Sequence, residues 1–247
     1  QTSYHIDMTQ VTTGEEQERY QSYVEVLTPI CKAWASDWGF RVTEWCLHVY
    51  GGYGYCSDYP AEQYMRDAKI AAIYEGTNGI QALDFVARKL PAKGGKPIRE
   101  LLGMAEATFK KLRGDPQFME PAWMLGAALK QIEDISKGLT KRPDAALVVV
   151  LNSVPFLDMI GDVLGAHFLL DQAIVARTKL QGMLAADGVN AQDKEAARAY
   201  LQGKPEAAFY HNKVQAAIHF AYRVLPQVTA RAVAIRAGEM GPIEAIL

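Results

Sequence analysis

The 247-residue sequence predicts an all-α chain, a helical bundle, on three observations. Apolar residues recur at spacings of three and four along most of the chain, the period of one helix face. Strand alternation is nowhere sustained, and Val148-Val149-Val150 is too short to build a sheet. Glycine and proline fall at intervals of helical length, where they would start or stop rods rather than hairpins.

Residues 16–38 predict a helix, with Glu15 and Glu16 near its positive end and Val24, Leu27, Ile30, Cys31 and Trp34 on one face. Gly39 is expected to end it, and a second helix from Val42 to Tyr50 to stop at Gly51-Gly52. Three glycines in Gly51-Gly52-Tyr53-Gly54 predict a loop. Pro60 fits the first turn of a helix over 60–73, with Asp58 as its cap and Glu62 favourable near its start. The turn Tyr74-Glu75-Gly76-Thr77 interrupts that helix. Thr77 can cap the next one, whose expected face is Ile80, Leu83, Ala87 and Leu90. Lys93-Gly94-Gly95-Lys96 after Pro91 marks a connection and the boundary between residues 1–92 and 93–247. Beyond it Ile98, Leu101, Leu102, Ala105, Phe109 and Leu112 form an amphipathic stripe, followed by a helix near 118–138 and apolar helices from about Asp144 to Leu184. Asp187-Gly188 is a turn, Pro205 opens a helix running to Pro226, and a last helix is expected over 227–238.

Composition narrows the function classes. Net charge is -2 and the pI about 6.3, with both signs interspersed, so no basic footprint for nucleic acid exists. Cys31, Cys46 and Cys56 are odd in number and form no Cys-x-x-Cys pair, which argues against a disulfide framework and a cysteine metal site and for a reducing compartment. His167, His211 and His219 read as ordinary interior or surface histidines, so no metal is expected. The most apolar stretch, Ala145–Leu157, is broken by Asn152, Ser153 and Pro155; it predicts a buried core helix and no membrane span. Residues 1–10 mix polar and aromatic side chains, which predicts no signal peptide, and the polar start without Met suggests sequence upstream.

The informative window is Tyr50 to Leu90, YGGYGYCSDYPAEQYMRDAKIAAIYEGTNGIQALDFVARKL. Its double-glycine loop, Tyr59-Pro60-Ala61-Glu62, Arg66-Asp67 and the run Ile73 to Gln81 stand in the order of the carboxy-terminal signature of the acyl-CoA dehydrogenases, which it closely resembles. The likeness extends back through Leu27-Thr28-Pro29-Ile30, and residues after Leu90 resemble the helical extension of a long subgroup.

The resemblance implies the carboxy-terminal part of the acyl-CoA dehydrogenase fold over 1–92, followed by an extra helical bundle over 93–247. It implies α,β-desaturation of an acyl-CoA thioester, a carboxylate taking the α-proton while the β-hydrogen leaves as hydride to FAD. The base is then Glu75, and Gly76 beside it contacts the thioester. A thioester α-C–H is a weak acid, so such a base must sit against the carbon in a dry site, where burial raises a carboxylate's pKa. The helix starting at Thr77 pulls the other way. Gly51 and Gly52, at the end of the helix carrying His48, are implied to approach the FAD of a partner subunit, although Gln usually stands where His48 does. Thr77 to Gly79 are implied to meet the flavin nucleotide through helix-start N–H groups. For the double glycine a plain helix-ending turn is an equal reading. Arg66 and Asp67 read as structural charges, and Tyr53 and Tyr55 as packing residues with a cofactor-side role as the alternative.

The family also implies an electron-transfer flavoprotein as acceptor, a homodimer or homotetramer, and a bacterial cytoplasm or a mitochondrial matrix. It needs an amino-terminal helical domain and a middle β-domain that this sequence does not display, so the polypeptide alone is expected to be incomplete and inactive. Two rivals remain: an acyl-CoA oxidase, and a non-catalytic helical module for interaction or assembly, which does not require a carboxylate in a turn.

Overall fold

The computed structural model describes residues 1–139 and 142–245; residues 140–141 and 246–247 of the stretch assigned to the extension lie outside the described residues. The regular elements are helical, with no strand among the described residues. In chain order they are α1 (Thr2–Val11), α2 (Gly14–Tyr50), α3 (Ala61–Ile70), α4 (Asn78–Asp84), α5 (Lys96–Leu112), α6 (Met119–Leu139), α7 (Ala145–Leu151), α8 (Ser153–Ala186), α9 (Lys194–Gly203), α10 (Pro205–Ala237) and α11 (Gly241–Glu244). The all-α expectation stands. Helices α1, α9 and α11 were not anticipated.

Gly39 does not end a helix: α2 is one rod of 37 residues. A helix-interior glycine costs about 1 kcal/mol. The Trp38 and Trp45 rings meet edge to face across it at 6.2 Å, and such a pair contributes about 0.5–1.5 kcal/mol. The rod stops where Gly51 turns to φ 62 and donates its N–H to the His48 carbonyl. Its buried face is Tyr23, Val26, Leu27, Ile30 and Ala33, one residue round from the expected stripe; Cys31 is exposed.

Three further expectations fail. Pro226 lies inside α10 rather than ending it. An interior proline costs about 3 kcal/mol, but Leu225 and Val228 are fully buried on either side and each contributes roughly 1.5–3 kcal/mol by burial. After α4 the backbone inserts a π-helical turn, Phe85–Lys89, closed by the Leu90 N–H on the Phe85 carbonyl. The buried residues there are Ala82, Phe85 and Val86, while Ile80 is exposed, so the stripe Ile80-Leu83-Ala87-Leu90 does not form the inner face. Asp58 makes no cap bond to α3; Pro60 occupies the N-cap position.

The chain forms two compact units. The first comprises Gln1–Leu101, Ile135–Gly161 and the chain from Arg231 onward. Its core joins the inner face of α2 to Phe85, Ile98 and Leu101 and to Leu157, Met159, Ile160 and Ile235. Gly161 of α8 lies so close to α2 that a Cβ there would stand 2.4 Å from Cδ1 of Trp34. The second unit comprises Leu102–Asp134 and Asp162–Ala230. Small residues (Ala105, Ala122, Ala128, Ala166, Ala173, Ala217, Ala221) are buried through its core beside Phe118, Leu125 and Leu170, which lets helix axes approach closely. There His167 pairs with Thr108 through Nδ1 at 2.9 Å, and burial holds its imidazole below the ordinary pKa. Arg177 bonds Asp115 at 2.6 Å and holds that carboxyl below its usual range.

Helix α8 is long and apolar enough to cross a membrane, but 61% of its most apolar window is buried within the protein, the pattern of a core helix. The stretch around Ala145–Leu157 is split by Asn152 into α7 and α8, with Val148, Phe156 and Leu157 buried and Leu147, Val150 and Val154 exposed.

Candidate functional site

The turn bearing Glu75 is built by the end of α3 and the start of α4. The Ala72 and Ile73 N–H groups bond the Lys69 and Ile70 carbonyls in tightening turns, and Tyr74 reaches back to Ile70. The chain then reverses through two left-handed residues, Glu75 at φ 55 and Gly76 at φ 87. Glycine takes this region freely, whereas a glutamate pays about 1–2 kcal/mol there. Such a conformation persists only where neighbours over-determine it, and this one does so at a place where a functional side chain is expected. Thr77 caps α4, its Oγ1 accepting the Ile80 N–H at 3.4 Å, as the sequence predicted.

Four side chains fasten the turn. Gln81 donates to the Glu75 carbonyl at 3.1 Å. Lys32 of α2 donates to the Gly76 carbonyl at 2.6 Å and to Oδ1 of Asn78 at 2.9 Å. Asn78 in turn donates through Nδ2 to the Ala33 carbonyl at 3.1 Å and to Oγ of Ser36 at 2.9 Å. The backbone of the turn is therefore tied to α2, while the Glu75 carboxylate is exposed and has no hydrogen-bond or ion-pair partner among the described residues. Among the described residues none builds the dry surroundings expected of a base.

The second group sits at the end of α2. His48 is exposed, and its carbonyl receives the Gly51 N–H. Gly51 needs glycine for its positive φ. Gly54 needs it for space, since a Cβ would lie 2.5 Å from the Leu47 carbonyl oxygen. Gly52 has neither reason: its φ is not positive and a Cβ would meet nothing within 4 Å. Open backbone of this kind suits a ligand or another chain resting on it. Tyr53 and Tyr55 follow it at 70% and 81% exposure, Tyr53 with its ring edge to face on Tyr59 at 5.8 Å, so neither lies in the core.

The fold brings Glu75, Gly76, Thr77 and Gly79 together but does not bring them to His48, Gly51 and Gly52. The turn is fastened at residues 32–36 of α2 and the double glycine begins at 51, which at 1.5 Å per residue is roughly 22–28 Å along the rod. At the start of α4 the Asn78 N–H is taken by the Ala72 carbonyl and that of Ile80 by Thr77, so the Gly79 N–H is the first-turn donor left for an anion. Arg66 pairs with Glu62 one turn away at 2.8 Å, a surface ion pair worth little.

Sequence reasoning missed Lys32 and Ser36, which lie more than forty residues from the turn they hold. Asn78 and Gln81 sat inside the quoted signature, and an Asn directly after a Gly-Thr turn was the local signal for an anchoring amide.

Residues 8–90 match the family described as "Acyl-CoA dehydrogenase, C-terminal domain", and residues 101–244 match "Acetyl-CoA dehydrogenase C-terminal like". A butyryl-CoA dehydrogenase of Syntrophomonas wolfei subsp. wolfei is 29% identical over 93% of this chain and 35% of its own length. The broad-specificity linear acyl-CoA dehydrogenase FadE5 of Mycobacterium tuberculosis is 30% identical over 83% of this chain and 32% of its own. A short-chain-specific acyl-CoA dehydrogenase of Megasphaera elsdenii reaches 52% identity over a shorter stretch, 22% of this chain and 14% of that protein. The chain thus spans about a third of the length of the butyryl-CoA dehydrogenase and of FadE5.

Proposed function

This chain belongs to the acyl-CoA dehydrogenase family, and on that premise we propose that it supplies the α-proton base, Glu75, to an FAD-dependent desaturation of acyl-CoA thioesters. The observation that carries the reading is the free Glu75 carboxylate on a strained backbone that four other side chains hold in place. Packing alone gives no reason to keep a glutamate at φ 55.

In the proposed reaction the substrate lies against the turn with its α-carbon at the Glu75 carboxylate. Gly76, which takes its positive φ without a side chain, would lie beside the acyl group. The α-C–H bond breaks, its proton going to Glu75 and its electron pair forming the α,β double bond, while the β-hydrogen departs as hydride. Bound FAD would supply the hydride acceptor. The residues present fit that cofactor in two separate half-sites, the open backbone of Gly51-Gly52 beside His48 and the Thr77–Gly79 helix start. Their separation along α2 supports contributions to two different flavins, hence a homodimer or homotetramer. The exposure of Glu75 and of the double glycine supports a catalytic unit that needs protein surface beyond these residues. An electron-transfer flavoprotein is the proposed final acceptor.

The test is Glu75→Gln in the assembled enzyme, followed by acyl-CoA-dependent bleaching of the flavin absorbance. General-base removal is expected to slow bleaching by at least about 10²–10⁴-fold with acyl-CoA binding retained. Bleaching at the parent rate would remove Glu75 from the chemistry.

A further inference from the structure

We propose that Lys32 is a positioning residue for the Glu75 turn, a role that rests on Glu75 being the base. Two neighbouring residues of the turn are left-handed, and the second is a glycine, the residue with the greatest backbone freedom. A small rotation at Gly76 would swing the Glu75 carboxylate off its target. The Lys32 ammonium bonds the Gly76 carbonyl at 2.6 Å and so fixes the ψ side of that glycine. Gln81 fixes the peptide before it, through the Glu75 carbonyl.

The two ties differ in origin. Gln81 belongs to α4 and moves with the turn. Lys32 belongs to α2 and refers the turn to a rod of 37 residues. Its second bond, to Oδ1 of Asn78, couples both sides of Thr77 to the same ammonium. Asn78 also reaches α2 by itself, through the Ala33 carbonyl and Ser36. Removing Lys32 therefore leaves Asn78 tied to α2 through Ala33 and Ser36, while the Gly76 carbonyl and one bond to Oδ1 of Asn78 are released. That is the signature of a group that sets geometry without holding up the fold.

Lys32→Met, Lys32→Gln and Lys32→Arg are compared with Glu75→Gln in the assembled enzyme. A misplacement of about 1 Å costs on the order of 10²-fold in rate, so Lys32→Met is expected to lower kcat about 10- to 100-fold while KM stays within about threefold. Arginine, which keeps the charge and can bond two acceptors, is expected to recover much of the loss, and glutamine, with a neutral donor, to fall between. Amide hydrogen exchange, which needs no turnover, is expected to quicken at residues 74–78 in Lys32→Met and nowhere else. Should methionine at 32 leave no folded protein, the glutamine variant decides by the same readouts. A kcat within about twofold of the parent, or unchanged exchange over 74–78, overturns the role of Lys32 even if Glu75→Gln is inactive. Full activity of Glu75→Gln instead overturns the reading of Glu75, and the exchange data then still decide whether Lys32 holds the turn.

Discussion

Gly161→Ala tests how α8 braces the helix that seats the Glu75 turn. The added methyl carbon would lie 2.4 Å from Cδ1, 2.6 Å from Cγ and 3.0 Å from Nε1 of Trp34. Carbon atoms sit comfortably at about 3.5–4.0 Å, so the indole or one of the helices must yield by more than 1 Å. The indole is a rigid ring already tilted against Trp38 at 5.8 Å, which leaves it few alternative positions. Overpacking of this severity costs about 2–3 kcal/mol, and alanine in a helix interior returns about 1 kcal/mol relative to glycine. The net is a loss of about 1–2 kcal/mol, or roughly 2–8 °C in thermal midpoint for a chain of this size. Circular dichroism melting of the single variants and of Gly161→Ala/Trp34→Ala measures it. With the indole gone the clash disappears, so in the Trp34→Ala background the same methyl should stabilise by about 1 kcal/mol. A Gly161→Ala protein that melts at or above the parent with Trp34 intact would refute the packing argument.

His167 is held below its ordinary pKa of 6.5 by burial, so the unfolded chain binds a proton that the folded one resists; stability is intact above about pH 6.5 and is lost as pH falls from there. Thermal midpoints measured between pH 5 and 8 should show that fall, and His167→Gln should flatten it. Thr108→Val orphans the buried Nδ1 and is expected to cost about 1–3 kcal/mol, read by urea unfolding. Asp115 is depressed chiefly by its bond to Arg177, so its contribution is present above pH 3.8 and is lost below; a double-mutant cycle with Asp115→Asn and Arg177→Met should give about 1 kcal/mol of coupling.

The features legible in the sequence were local ones. The stripe through Ile98, Leu101 and Ala105 became the buried face of α5, and Thr77 capped α4, because both depend on residues a turn apart. Gly39 and Pro226 misled because an intrinsic cost of about 1–3 kcal/mol is smaller than the packing that surrounds each. The lower half of the expected face, Ala87 and Leu90, misled because the extra residue of the π turn rotates the side chains downstream of it, and nothing in Phe85-Val86-Ala87 announces it; upstream, the helix turns the small Ala82 inward and leaves Ile80 exposed. At the site, Glu75 and its glycine were legible as a motif, whereas the tie from Lys32 spans forty-four residues and exists only once α2 and α4 are side by side.

An uninterrupted α2 makes the Glu75 turn and the double-glycine corner mechanically one object. Each residue of a helix advances the chain 1.5 Å and rotates it by about 100°. A single insertion or deletion between Ser36 and Gly51 would therefore swing the His48–Gly52 corner about a quarter-turn or more out of phase with the Glu75 turn, and no loop between them could absorb the error. Point substitutions in this span should be tolerated on their merits, while changes of length should be intolerable whatever the residue. The rod acts as a gauge block, fixing both spacing and bearing between the Glu75 turn and the double-glycine corner.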